Sequence, residues 1–275
     1  MPTSLEAERA IGEAFAQARR SAGALQEFPG RVPATLAEGY RIQDHAIAAM
    51  QLPIGGWKVG RIPPPLAAQY GAARLAGPVL ARSIRQGPRG GSGFVFAGGY
   101  AAAEAEFLFE LRSPPVAGKR HFTEAEAATL VKSVHVGIEI ASSPFRGIND
   151  LGPAVTVADF GNNNGLIIGP EIPDWRRSGM LEWPVEVRLD GRPAGNGRGG
   201  EMPGGPLASV CFLLEHLAAR RLALAPGAWI SSGAVTGVHE VRIGERATAL
   251  FGPDLVAECL IEQARPHEEG LNPAR

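Results

Sequence analysis

Apolar positions at the start of the chain recur with helical spacing. Ile11, Phe15 and Ala18 fall on one helical face, and Thr3 with Glu6 three residues on has the spacing of a capping box. Thr35 and Glu38 repeat that signal ahead of a stripe of Leu36, Tyr40, Gln43, Ile47 and Met50, and Pro53, Gly55 and Gly56 close the helical portion. The character then changes. IGGWKVG reads as a short strand entered from a glycine turn, residues 63–78 as a loop rich in breakers, and QGPRGGSG (86–93) as a surface loop. AEAEFLFEL alternates as a strand, and VGIEIA is β-branched and apolar, as a central strand requires. TEAEAATLVKSVHV predicts a helix capped by Thr123, with Glu126 three residues later. WPVEVRLDGRPAG runs into an Asp190-Gly191 hairpin turn, PLASVCFLLEHLAARR is a helix with Pro206 in its first turn, and GAWISSG, ATALF and LVAECLIEQ are late strands. Residues 266–275 read as a frayed tail. The expected fold is α+β and β-rich: a helical segment, 1–53, packed on a single domain of residues 54–265.

Composition sharpens this picture. With 36 glycines and 23 prolines in 275 residues the chain is dense in turns, which favours many short strands over a helix bundle. Hydrophobic residues at 45% and charged residues at 20% supply a globular core, and a net charge of -1 recommends neither nucleic acid nor an anionic membrane as partner. No apolar run approaches the ~20 residues of a membrane span, and the N-terminus lacks the basic-then-apolar layout of a signal peptide. Cys211 and Cys259, the only cysteines, lie in apolar runs and cannot build a disulfide framework, so a reducing cytoplasm is expected.

Candidate chemistry concentrates in a few places. Side chains two apart on a strand share a face, so Glu104, Glu106 and Glu110 point together, with Leu108 among them. Such a face is either a solvated edge or a site where a hard cation such as Mg²⁺ or Mn²⁺ relieves the repulsion. Glu139, alone among Val136, Ile138 and Ile140, is a third metal ligand or the partner of an arginine. Lys58, bracketed by Gly56 and Gly60 beside Trp57 and Val59, is an exposed cation or one whose charge desolvation disfavours, as proton transfer would need. Asparagines in ADFGNNNG, after Asp159, either cap turns or donate hydrogen bonds to a carboxylate ligand. The six histidines show no metal-ligand spacing, and GGSG follows no strand and opens no helix, so no phosphate loop is present.

The order GWKVG, GPVL, AEAEFLFEL, GIEIASS, VADFGNNNGLIIG and ISSGAVTG resembles the 2-keto-4-pentenoate hydratase branch of the fumarylacetoacetate hydrolase superfamily, from about Leu36 to Glu262. The resemblance implies a mixed β-roll core with Mg²⁺ or Mn²⁺ on Glu104, Glu106 and Glu139. It also implies Lys58 and Asp159 as catalytic residues, and Asn162, Ser232 and Gly233 as substrate-binding ones. The implied substrate is a small 2-oxo acid chelated through its carboxylate and 2-oxo group, and the implied reaction is hydration of a 2-hydroxy-2,4-dienoate in aromatic catabolism. A homo-oligomer is expected. The chain departs from the hydratase pattern in three places: Leu75 replaces an acid before the Gly-Pro turn, Pro144 replaces an arginine, and Phe160, Gly161 and Asn162 stand where Asn-Ala-Ser is usual. These changes bear on the distal part of the substrate. They leave open decarboxylation of a 4-oxalocrotonate-like diacid, with Arg61 or Arg146 as the second cation, and hydrolysis of an acylpyruvate. A non-catalytic metabolite-binding protein is the contrasting reading, disfavoured by retention of the three glutamates together with Lys58.

Overall fold

The computed structural model of the protein describes residues 4–87, 91–116 and 118–267. Helix α1 (Leu5–Ser21) buries the predicted face of Ile11, Phe15 and Ala18. Thr3 lies outside the described residues; Ser4 caps α1, its hydroxyl accepting from the Ala7 N–H. Helix α2 (Leu36–Met50) starts at Thr35, which accepts from the Glu38 N–H as the spacing requires. The chain continues through β1 (Ile54–Arg61), α3 (Pro64–Tyr70), β2 (Arg74–Leu80), β3 (Ile84–Gln86), β4 (Gly91–Val95), β5 (Tyr100–Leu111), α4 (Glu124–Leu130) and β6 (Val131–Ser143). It then forms α5 (Pro153–Ala158), β7 (Asn163–Glu171), β8 (Pro184–Leu189), β9 (Arg192–Arg198), α6 (Gly205–Ala219), β10 (Trp229–Ser231), β11 (His239–Glu240), β12 (Arg246–Phe251) and β13 (Leu255–Gln263).

Four segments differ from expectation. Residues 63–78 are not a loop: Pro64 and Pro65 fit the first turn of α3, Gly71 closes it in the left-handed region, and β2 follows despite Gly77 and Pro78. The stretch expected as a loop at 86–93 contributes β4 from Gly91, parallel to β13, while 88–90 lie outside the described residues. The helix expected over TEAEAATLVKSVHV stops at Leu130, because Val131, Val134 and Val136 gain more from pairing with β5 than from helical continuation. At the C-terminal end, the His267 N–H donates to the Arg20 carbonyl at 2.7 Å, so the start of the predicted tail is tied to α1; residues 268–275 lie outside the described residues.

Among the described residues the strands form two sheets: an eight-stranded mixed sheet, ordered β2-β1-β10-β5-β6-β7-β3 with β11 on β5, and a five-stranded sheet, β4-β13-β12-β8-β9. Alternation on β5 and β6 decides what lies between them. Ala103, Ala105, Phe107 and Phe109 on β5, with Val134, Val136, Ile138 and Ile140 on β6, enter the main core with Val185, Val187, Ala249 and Phe251 of the second sheet. Phe107 and Phe251 meet edge to face at 5.4 Å between centroids. The opposite face therefore carries Glu104, Glu106 and Glu139. In a flat sheet β1 and β6 would lie about 14 Å apart, three strand spacings. Here the sheet curls until β2 packs against β7, and β1 looks across at β6. Helix α2 lies against α1 on one side and α5 on the other, which places both N-terminal helices beside the loop that leads into β7.

Candidate metal centre

Glu104 and Glu139 are direct cross-strand partners on β5 and β6, and Glu106 stands opposite Gly137. All three are buried, and their carboxylates offer oxygens within 4.8 Å of one another. Glu110, on the same face of β5, is not part of this group: it sits at the far end of the strand, bonded to Lys132 and Ser133. Lys58 reaches in from β1, its Nζ 3.3 Å from Glu139 Oε2.

Charge bookkeeping shows what is unbalanced. At an effective dielectric of about 20, each pair of ionised carboxylates ~5 Å apart repels by roughly 3–4 kcal/mol. One ammonium against three carboxylates leaves two negative charges over, the charge that a divalent cation balances. Burial, then Glu139, pushes the Glu104 carboxyl up to about 7. Burial, then Glu139 and Glu104, pushes Glu106 well above the usual carboxylate range. For Lys58 burial is the largest single influence and pulls downward, but Glu139, Glu104 and Glu106 together outweigh it and raise the ammonium above its ordinary range. The lysine expected to lose charge by desolvation is thus held charged by the acids it faces.

The remaining hydrogen bonds aim the carboxylates. Glu106 Oε2 accepts from the Gly233 N–H at 2.8 Å and from the Ser231 hydroxyl. Glu139 Oε1 accepts from Asn163 Nδ2 at 2.9 Å, the carboxylate-donor role considered for the asparagine run. Glu106 Oε1 is buried with no hydrogen-bond partner, and Glu139 Oε2 likewise has none, with the Lys58 ammonium 3.3 Å away. Two buried acceptor oxygens left open beside a third carboxylate fit a hard, oxygen-seeking cation.

A cavity of about 890 Å³ opens onto this centre, lined among others by Lys58, Glu104, Asn162, Ser232 and Gly233. Asn162 Oδ1 and Ser232 Oγ are buried at its wall without protein partners, so each is free for a ligand or water. The Gly233 N–H, in contrast, is committed to Glu106. Asp159 does not line the cavity. Both of its oxygens are taken by Arg19, at 2.5 and 2.9 Å, in a buried ion pair whose disruption would cost roughly 3–5 kcal/mol. Asp159, expected as a catalytic residue, is thus placed behind the cavity wall in an ion pair with Arg19. Of the two candidate distal cations, Arg61 lines the cavity and Arg146 pairs with Glu240 outside it. Sequence reading missed Arg74, Ser231 and Arg19. Arg74 is visible only once β2 is recognised as a strand, and Arg19 gives no local signal at all.

A curled mixed sheet carrying a buried three-glutamate centre defines the architectural class. Neither a family model nor a curated protein matches the chain. Solved structures do match. The 4-oxalocrotonate decarboxylase from Pseudomonas putida G7, complexed with magnesium and adipate, superposes with a TM-score of 0.78 at 20% identity, covering 95% of this chain and 100% of that one. The fumarylpyruvate hydrolase from Pseudomonas aeruginosa, in complex with Mn²⁺ and pyruvate, gives 0.53 at 16% identity over 77% of this chain and 91% of that one. Yeast ynq8, a fumarylacetoacetate hydrolase family protein, gives 0.52 at 16% identity, covering 75% and 92%. The protein has the fumarylacetoacetate hydrolase superfamily fold. Among the described residues no helix is long and apolar enough to cross a membrane.

Proposed function

We propose that the protein is a divalent-metal-dependent lyase that binds a small 2-oxo acid at Glu104, Glu106 and Glu139 and hydrates a 2-hydroxy-2,4-dienoate. The observation that carries this reading is the convergence of three buried carboxylates, two with unsatisfied oxygens, behind a cavity lined by Glu104 and a charged lysine. The neighbours complexed with magnesium and adipate, and with Mn²⁺ and pyruvate, support it. A bound Mg²⁺ or Mn²⁺ supplies positive charge to draw the substrate carboxylate and 2-oxo oxygen and to offset charge developing on that oxygen.

The chain's own residues do the rest. Lys58 Nζ, charged and beside Glu139, is placed to hydrogen-bond the 2-oxygen and to handle its proton as the dienol becomes the conjugated 2-oxo-3-enoate. In that change the 2-hydroxyl loses a proton and C5 gains one. Water then adds, its oxygen to C4 and a proton to C3. Asn162 Oδ1 and Ser232 Oγ, the open polar atoms of the cavity wall, hold that water.

One observation favours a second reaction, decarboxylation of a 4-oxalocrotonate-like diacid. Arg61 and Arg74 are cross-strand partners on β1 and β2, both line the cavity, and among the described residues neither forms an ion pair. Like charges directly opposed are unfavourable, and a second substrate carboxylate would relieve them. The deciding experiment supplies Mg²⁺ with 2-hydroxypenta-2,4-dienoate and, separately, with 4-oxalocrotonate, following ultraviolet absorbance and released CO₂. Metal-dependent loss of the dienoate, abolished by chelation, is expected. Consumption of the diacid alone, with CO₂, would assign the second reaction, and inertness toward both would remove the lyase reading.

A further inference from the structure

We infer that helix α1 is a working part of the metal centre, with Arg19 as a positioning residue that holds Glu139 in its ligating pose through Asn163. This rests on the reading of the three glutamates as a metal site. Arg19 is 3% exposed and lies between two aromatic rings, its guanidinium carbon 4.6 Å from the Phe160 centroid and 5.5 Å from that of Phe96. Nε and Nη2 take the two oxygens of Asp159. An ion pair of that kind would be satisfied there, but the guanidinium has donors to spare. Nη1 gives hydrogen bonds to the Asn163 carbonyl at 3.0 Å and to Asn164 Oδ1 at 3.3 Å, and Nη2 reaches the Ser142 carbonyl at 3.4 Å.

These bonds fall where the sheet does not hold itself. The β6–β7 ladder is irregular between Ile140 and Ala141, next to the pairing of Ala141 with Asn163. Arg19 fixes the peptide there, Asn164 Nδ2 anchors the next residue to the Phe94 carbonyl at 2.7 Å, and the Asn163 amide is left pointing at Glu139. With Oε1 of Glu139 tied to Asn163, Oε2 is turned toward Lys58 and the other two acids. The same guanidinium covers the ring of Phe160, which begins a left-handed run of Phe160 (φ 54°), Gly161 (φ 63°) and Asn162 (φ 64°). Residues on α1 and α2 (Ala16, Ala46 and Met50) close on that ring. One side chain from the N-terminal helix thus holds both the donor to a metal ligand and the turn that brings Asn162 to the cavity wall.

The test is Mn²⁺ affinity, measured from the electron paramagnetic resonance signal of free Mn²⁺, with circular dichroism to establish folding. Asn163→Ala should weaken Mn²⁺ binding by ~10–100-fold, the usual effect of removing a residue that orients a ligand. Arg19→Lys keeps a positive charge on Asp159 but lacks the fork that reaches Asn163 and Asn164, and should weaken Mn²⁺ in the same direction. The double variant should bind about as well as Asn163→Ala alone, since one residue acts through the other. A merely structural Arg19 would lower the melting temperature and leave Mn²⁺ affinity unmoved. Parental affinity in folded Arg19→Lys, or fully additive losses in the double variant, overturns the inference. Asn163→Ala leaves the buried Arg19–Asp159 pair intact, so parental affinity there overturns it even where Arg19→Lys fails to fold. Glu106→Gln separates the two levels: if it binds Mn²⁺ as the parent does, or the parent binds none, the metal reading falls and this inference with it.

Discussion

Lys58 meets two opposing effects at once. Burial favours its neutral form, and three carboxylates favour the charged one; the acids win. Its position was legible because a single cation bracketed by glycines in a short apolar strand is a local feature. Its protonation was not, because the acids that set it lie on β5 and β6. Glu104 and Glu106 were legible for the same local reason, a period of two on one strand, and Glu139 as a lone acid in an apolar run. The ion pair of Asp159 was not legible, because its partner Arg19 lies 140 residues earlier in the chain. At this scale the expected outcome is that Lys58→Met lowers kcat by ~10²–10⁴-fold, the range for a residue that moves a proton, with Mn²⁺ binding retained. Turnover close to the parent's on an accepted substrate would leave Lys58 a structural counter-charge.

The elements show how local preference gives way to pairing. TEAEAATLV has a true capping box and true helix formers, and the helix forms. It ends where β5 offers a partner, which no local signal announces. Strand β2 was hidden by Gly77 and Pro78, yet Gly77 is what the site requires at that point. A Cβ on residue 77 would lie 2.0 Å from the Phe160 carbonyl oxygen, so only glycine lets the left-handed turn close onto β2. Gly161 meets the same demand from the other side, since a Cβ there would lie 3.0 Å from Lys58 Cδ. Gly77→Ala pushes backbone against backbone and should cost roughly 1–3 kcal/mol, lowering the melting temperature by about 2–12 °C. It should also raise KM, because Asn162 leaves the cavity wall. Unchanged melting and KM would show that β2 does not support the turn.

At the scale of the whole molecule, the curl of the eight-stranded sheet gathers acids from β5 and β6 and a lysine from β1 into one buried place. The strands were largely legible; their closure into a roll came only through family resemblance, because curl depends on contacts such as β2 against β7 that span the chain. Gathering those charges stores instability that a bound divalent cation would release. Glu104 is raised to about 7 and Glu106 is raised well above the ordinary 4.5. A carboxyl raised in this way keeps its proton in the folded chain after the unfolded chain has lost it. Its contribution is full below the unfolded value and is lost as pH rises through the folded one. The melting temperature of chelator-treated protein should therefore fall as pH rises from about 5 through about 7, where Glu104 titrates, and Glu106 adds to the fall in the same direction. Saturating Mg²⁺ should restore it, with a larger gain at the higher pH, where the ion no longer displaces protons. Glu106→Gln removes one of the crowded charges and one ligand together. Its metal-free form should melt above the metal-free parent at the higher pH, and Mg²⁺ should add little. The difference between parent and variant, measured by differential scanning calorimetry, isolates the site from every other titrating group. A parent whose melting responds to neither chelator nor Mg²⁺, matched by an unaltered Glu106→Gln, would mean that the three glutamates hold no ion and store no strain.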